Sequence, residues 1–207
     1  MITIIDYGMG NLHSVSKAVE AAGGDVIVSE KHEDIRAAEK IILPGVGAFG
    51  IGMQNLQKLD LIPVLHEEVI EKKKPLLGIC LGMQLLAKDS EEHGHHKGLG
   101  FIEASVKKFT FPVESKELKV PHVGWNEITI KKLDNPLLTK LPKKPTFYFV
   151  HSYYVTCNEN IVAATCDYGG EFTAAIWKDN IFATQFHPEK SQQIGLQVLE
   201  NFIKWKP

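Results

Sequence analysis

Short, wholly apolar runs alternate with longer stretches whose apolar residues recur every third or fourth position through the first half of the chain. Ile2–Ile5 predicts a buried strand. Val15, Ala18, Val19 and Ala22 then predict one face of a helix that begins near Asn11 and stops at Gly23-Gly24. Val26–Val28 and Lys40–Leu43 read as the next two strands, joined by a short helical connection over Asp34–Ala38. Helical spacing returns over Gly52–Gln57 and Pro63–Lys72, followed by the apolar run Leu76–Ile79. Strand and crossover in alternation predict a parallel sheet covered on both faces, with ligands at the carboxyl ends of its strands.

From Phe101 onward the pattern changes. Short strands over Glu103–Phe109, Asn126–Lys131, Thr146–Val150, Tyr153–Cys157, Ile161–Cys166, Thr173–Trp177 and Ile181–Gln185 follow one another with turn residues between them. These predict antiparallel additions on the far side of the sheet. A final helix over Gln192–Lys204 turns Ile194, Val198, Leu199 and Phe202 inward. With no internal repeat or linker, residues 1–207 read as one domain of the α/β class.

Composition narrows the function. The 207 residues are 44% hydrophobic and 23% charged with a formal net charge of -2, which argues against a generic nucleic-acid binder. Arg36 is the one arginine among 23 basic residues, so no arginine-rich phosphate clamp is available. Three cysteines, Cys80, Cys157 and Cys166, cannot all pair within one chain and lack zinc spacing. They fit a reducing, cytoplasmic setting. The chain opens on a strand rather than a signal core, and no apolar run approaches the roughly 20 residues of a membrane span.

Candidate chemistry centres on Gly78-Ile79-Cys80-Leu81-Gly82, where a buried strand meets a helix through a turn flanked by glycine on both sides. This is the thiol counterpart of a nucleophile elbow. A helix N-terminus behind it would favour a thiolate and a developing oxyanion. The plain alternative is a buried structural cysteine. A base for Cys80 is offered by Gln185-Phe186-His187-Pro188-Glu189, which follows an apolar strand. In extended chain His187 and Glu189 point the same way, and a carboxylate beside an imidazole fixes its tautomer. His93, His95 and His96 lie in a polar, solvated loop, whereas His122 and His151 have apolar and aromatic company.

Gly78-Ile79-Cys80-Leu81-Gly82-Met83-Gln84 together with Phe186-His187-Pro188-Glu189 resembles the class I glutamine amidotransferases. That resemblance implies a flavodoxin-like, mostly parallel sheet carrying a Cys80–His187–Glu189 triad. Five further segments sharpen it: Asp6-Tyr7-Gly8-Met9-Gly10-Asn11-Leu12-His13-Ser14-Val15, Leu43-Pro44-Gly45-Val46-Gly47-Ala48-Phe49, Gly98-Leu99-Gly100, Pro121-His122-Val123-Gly124-Trp125-Asn126 and His151-Ser152-Tyr153. With these the chain is similar to the family of glutaminase subunits that serve imidazole glycerol phosphate synthases.

The resemblance implies that Cys80 attacks the glutamine carboxamide and that His187, oriented by Glu189, handles the proton. The N–H of Leu81 would be one oxyanion donor, and a second would come from Gly45, Val46 and Gly47 after a peptide flip. Gln84, Glu92, His151, Ser152 and Tyr153 would hold the amino-acid end of glutamine. Gln84 lies one helical turn beyond Cys80, which supports its place independently. No cofactor is implied. Ammonia would pass to a separate cyclase subunit with a (β/α)₈ barrel, which makes imidazole glycerol phosphate and aminoimidazole carboxamide ribonucleotide in histidine biosynthesis. Docking would use Gly10, Asn11 and Ser14, with Trp125, Tyr148 and Lys190 at the junction. The competing readings are a glutaminase for another acceptor, a cysteine peptidase or γ-glutamyl hydrolase on a similar sheet, and a non-catalytic binding module.

Overall fold

The computed structural model describes residues 1–111 and 118–207. Five parallel strands form its centre: β1 (Ile2–Ile5), β2 (Val26–Ser29), β3 (Lys40–Leu43), β4 (Leu76–Ile79) and, from the far end of the chain, β13 (Ile181–Thr184). Every residue of β1, β3, β4 and β13 is buried, the mark of parallel strands covered on both faces. One face is covered by α1 (Leu12–Ala21) and α6 (Gln192–Lys204). The other is covered by α2 (His32–Ala37), α3 (Phe49–Lys58), α4 (Leu61–Leu65) and α5 (Leu81–Leu85).

The second half supplies β5 (Asp89–Ser90), β6 (His96–Lys97), β7 (Ala104–Lys108), β8 (His122–Ile130), β9 (Thr146–His151), β10 (Tyr153–Cys157), β11 (Val162–Asp167) and β12 (Glu171–Lys178). β12, β11, β8 and β9 extend the sheet antiparallel, giving nine strands in the order β2-β1-β3-β4-β13-β12-β11-β8-β9. The expected additions are therefore present, with one difference. β10 and β7 leave that sheet and form a second, four-stranded one with β5 and β6. Ser152, alone between β9 and β10, is the corner at which the chain changes sheets.

Two local expectations are corrected, and the expected helix after the elbow proves short. The helix over Pro63–Lys72 is α4 followed by a widened π-helical stretch, His66–Glu71. Strand β8 starts at His122, four residues before the expected Asn126, because His122 already pairs into β9 opposite His151. The helix after the elbow is a five-residue turn, because the N–H groups of Leu99, Gly100, Phe101 and Ile102 take the carbonyls of Leu85, Leu86 and Ala87. Lys40, at the amino end of β3, binds the other end of the molecule: its ammonium donates to the carbonyls of Phe202, Ile203 and Trp205, closing α6.

Candidate active site

Sheet order brings the nucleophile and base segments together. β4 and β13 are adjacent and parallel, with Ile79 opposite Thr184, so Cys80 and Gln185–Glu189 leave the sheet side by side at its carboxyl edge. The Cys80 N–H donates to the Thr184 carbonyl at 2.7 Å. Cys80 has φ 53°, ψ -107°, a strained conformation for a residue with a Cβ, as a nucleophile elbow requires. Gly82 makes the elbow possible, since a Cβ there would stand 1.8 Å from the Leu43 carbonyl oxygen.

His187 is 1% exposed and its Nδ1 lies 2.7 Å from Glu189 Oε1, whose side chain is 2% exposed. The two side chains meet across the start of a 3-10 turn, Pro188–Lys190, and not along the extended chain that was expected. Burial opposes the charged form of His187, but the nearby Cys80 sulfur and the Glu189 carboxylate outweigh burial and push the pKa up to about 10. His187 Nε2 is nevertheless buried without a partner among the described residues. The Cys80 sulfur instead receives Gln185 Nε2 at 3.6 Å and lies 4.0 Å from the Val150 carbonyl. A buried, unpartnered imidazole nitrogen near Cys80 is what a general base for that thiol would require, and such contacts are often long before substrate binds.

A cavity of about 250 Å³ opens onto Cys80, a size that suits one amino acid better than a drug-sized ligand. Of the expected residues Val46, Gly47, Leu81, Gln84, Glu92, His151, Ser152 and Tyr153 all line it with Cys80. Gly45, His187 and Glu189 do not line it. Both amide protons of Gln84 are committed within the protein, Nε2 donating to the Tyr153 carbonyl at 2.9 Å and to Gln185 Oε1 at 3.1 Å. Glu92 also accepts the Phe49 N–H at the start of α3 at 2.5 Å. The Leu81 N–H, an expected oxyanion donor, points at the Gly45 carbonyl at 3.3 Å.

The expected docking residues divide into two groups. Trp125 is 48% exposed and packs on Tyr148 with ring centroids 5.8 Å apart, while Lys190 Nζ sits 5.8 Å over the Tyr148 ring. Asn11 and Ser14 have a local role, because Asn11 Oδ1 caps α1 by accepting the Ser14 N–H at 3.1 Å. Gly10, at φ 122°, lies against the Gly45 backbone. His93 and His95 are exposed, and among the described residues no three His, Cys, Asp or Glu side chains are grouped to hold a metal.

Two residues of the site were not singled out from sequence. Tyr7 is buried and its hydroxyl donates to the Pro44 carbonyl at 2.7 Å, bracing the Gly45 loop; burial and the nearby Cys80 raise its pKa. Gln185 donates to the Cys80 sulfur. The signal for Gln185 was its place two residues before His187, which in extended chain puts both side chains on one side. Tyr7 carried none.

The chain matches the description "Glutamine amidotransferase class-I" over residues 3–205. It belongs to that family. A solved structure described as a glutamine amidotransferase has the same fold, with a TM-score of 0.74 at 17% identity, covering 98% of this chain and 99% of the other. Curated relatives are far closer in sequence. The imidazole glycerol phosphate synthase subunit HisH 1 of Campylobacter jejuni is 51% identical over 204 residues, covering 99% of this chain and all of that one. HisH 2 of Methanococcus maripaludis is 50% identical over 206 residues, and HisH of Geobacter sulfurreducens 50% over 209, each covering 99% of both chains. Among the described residues of this amidotransferase no helix is long and apolar enough to cross a membrane.

Proposed function

We propose that this amidotransferase is the glutaminase subunit of a cytoplasmic imidazole glycerol phosphate synthase, acting as one unit over residues 1–207. Cys80 thiolate attacks the carboxamide carbon of glutamine, forming a C–S bond and an oxyanion. His187, having taken the thiol proton, gives it to the departing nitrogen, and ammonia leaves. Water, deprotonated by His187, then splits the glutamyl thioester to glutamate and free thiol. Glu189 holds the imidazole in the tautomer that needs Nε2 free. The observation that carries this reading is the buried His187–Glu189 pair, at 2.7 Å, emerging on the strand beside Cys80.

Ammonia released into water is protonated and diluted, so the reading requires a second site, on a cyclase subunit with a (β/α)₈ barrel. Exposed Val46, Val123 and Trp125 supply an apolar surface around Pro121 and the mouth of the cavity. Docking there is coupled to chemistry through the Gly45–Val46 peptide. Its carbonyl occupies the Leu81 N–H, and in a trans peptide the Val46 N–H points the opposite way. Turning this one peptide over frees the first oxyanion donor and delivers the second. A missing oxyanion donor costs about 10²–10³ in turnover.

Co-purification with a candidate cyclase, followed by glutamine turnover with and without it, tests the reading. Cys80→Ala should abolish glutamate formation while leaving cyclisation fed by added ammonia intact. Loss of both would make Cys80 structural, and equal turnover with and without cyclase would remove the peptide switch. Cleavage of peptide bonds in place of glutamine would favour the peptidase reading.

A further inference from the structure

His122 and His151 face each other across β8 and β9, buried to 0% and 7% exposure, and the proposed chemistry uses neither ring. Their contacts form part of a continuous buried series. His122 Nε2 lies 2.8 Å from Asn126 Oδ1, His122 Nδ1 lies 3.1 Å from His151 Nε2, and His151 Nδ1 lies 2.8 Å from the Tyr153 carbonyl. That carbonyl also accepts Gln84 Nε2, which reaches Gln185, which reaches the Cys80 sulfur.

Counting protons along the series gives it a direction. A carbonyl only accepts, so His151 carries its proton on Nδ1. Burial lowers the pKa of His151 to about 3, so the ring is neutral and its Nε2 is a lone pair. His122 Nδ1 must therefore donate. On the other side, Gln84 gives both of its amide protons away, so Gln185 accepts at Oε1 and turns its own donor toward the sulfur. One freedom remains, at Asn126: its amide nitrogen donates to a neutral His122, or its oxygen accepts from a charged one. Tyr168, stacked 3.9 Å from His122, and Phe149, stacked at 5.1 Å, hold the ring in place.

We propose that His122 is a positioning residue for glutamine hydrolysis. Acting through His151, it sets the Tyr153 corner and, through Gln84 and Gln185, the donor on Cys80. The inference rests on Cys80 being the nucleophile. A histidine present only to fill an aromatic core would be replaceable by phenylalanine at no catalytic cost.

The test uses the full chain with its cyclase present. His122→Phe keeps the packing and removes the donor. His122→Asn returns an amide N–H near the position of Nδ1. Loss of folded protein lowers kcat and leaves KM alone, whereas a displaced corner raises KM as well. His122→Phe should raise KM and lower kcat, together reducing kcat/KM about 10- to 100-fold, the scale of an ångström-sized misplacement. His122→Asn should recover most of that loss. An unchanged KM in His122→Phe, or His122→Asn no better than His122→Phe, overturns the proposal. Should His122→Phe fail to fold, ¹⁵N spectra of the wild-type imidazoles still decide: His151 protonated on Nδ1 supports it, and protonated on Nε2 overturns it. If the wild type with cyclase hydrolyses no glutamine, the nucleophile reading fails and the proposal with it. The same ring spectra separate that failure from a break in the hydrogen-bond series.

Discussion

Gly82→Ala measures how tightly the elbow is built. A Cβ at Gly82 would lie 1.8 Å from the Leu43 carbonyl oxygen and 2.8 Å from its carbon, whereas real Cβ contacts do not fall below 3.0 Å. Backbone must therefore separate by at least about 1.2 Å. Leu43 cannot yield, because β3 is held between β1 and β4 in the middle of the sheet. The start of α5 moves instead, carrying Cys80 and Leu81 with it. Overpacking of this kind costs about 1–3 kcal/mol. At roughly 2–4 °C per kcal/mol for a chain of this size, the Tm should fall by about 2–12 °C. A nucleophile displaced by about 1 Å should cost on the order of 10²-fold in turnover. The comparison variant is Gly23→Ala, at φ 88° with nothing within 4 Å of the new Cβ. It loses about 1 kcal/mol for a left-handed residue and should keep full kcat. Thermal melts and glutamate formation are measured for both. A Gly82→Ala protein that melts and turns over like the wild type, or a Gly23→Ala protein that loses as much activity, refutes the reasoning.

Two further outcomes follow from buried charge. The pKa of His187 stands near 10 in the folded chain against 6.5 for an ordinary histidine, so the folded state holds this proton more tightly. Its stabilisation is complete below about pH 6.5 and drains away as the pH climbs toward 10. Urea midpoints should fall over that range, less steeply in Cys80→Ala, which lacks the sulfur charge that supports the imidazolium; parallel slopes would contradict this. Lys40→Met strips the closing donor from three carbonyls at the end of α6, at a cost of about 2–4 kcal/mol. Because Lys40 begins β3 while the active site lies beyond its other end, kcat measured well below the melt should be unchanged. A melt within a degree or two of wild type would show that Lys40 contributes little.

Much of the site was legible because its signals are local. Apolar runs mark β1, β3 and β4, glycines bracket Cys80, and two-residue spacing pairs His187 with Glu189. The second sheet was not legible. β5 and β6 are two-residue polar segments with no periodicity to detect, and β10 has the same alternation whether it pairs with β9 or with β7. Pairing is decided by the corner at Ser152, a tertiary choice. The same limit applies to Tyr7, whose role depends on Pro44 arriving beside it from a neighbouring strand. The widened turn over His66–Glu71 has ordinary helical spacing in sequence. Its Glu68 is buried between Lys72 and Lys74 at 2.7 Å each; helical spacing announces the i,i+4 contact with Lys72 but not the one with Lys74, beyond the helix.

The two halves of the chain thus make unequal contributions to one site. Parallel strands place a thiol and an imidazole at neighbouring carboxyl ends, where the proposed chemistry needs them, but leave them without a wall. The antiparallel half provides the wall by changing sheets at Ser152. That change turns the Val150 carbonyl toward the sulfur and the Tyr153 carbonyl toward Gln84. A carbonyl that leaves a regular ladder must find another donor, and at Tyr153 the donors are His151 and Gln84. The break in sheet pairing is therefore what ties the corner to the elbow. A β9–β10 segment that ran on as one strand would satisfy its own backbone and leave Gln84 and Gln185 with no fixed orientation against Cys80.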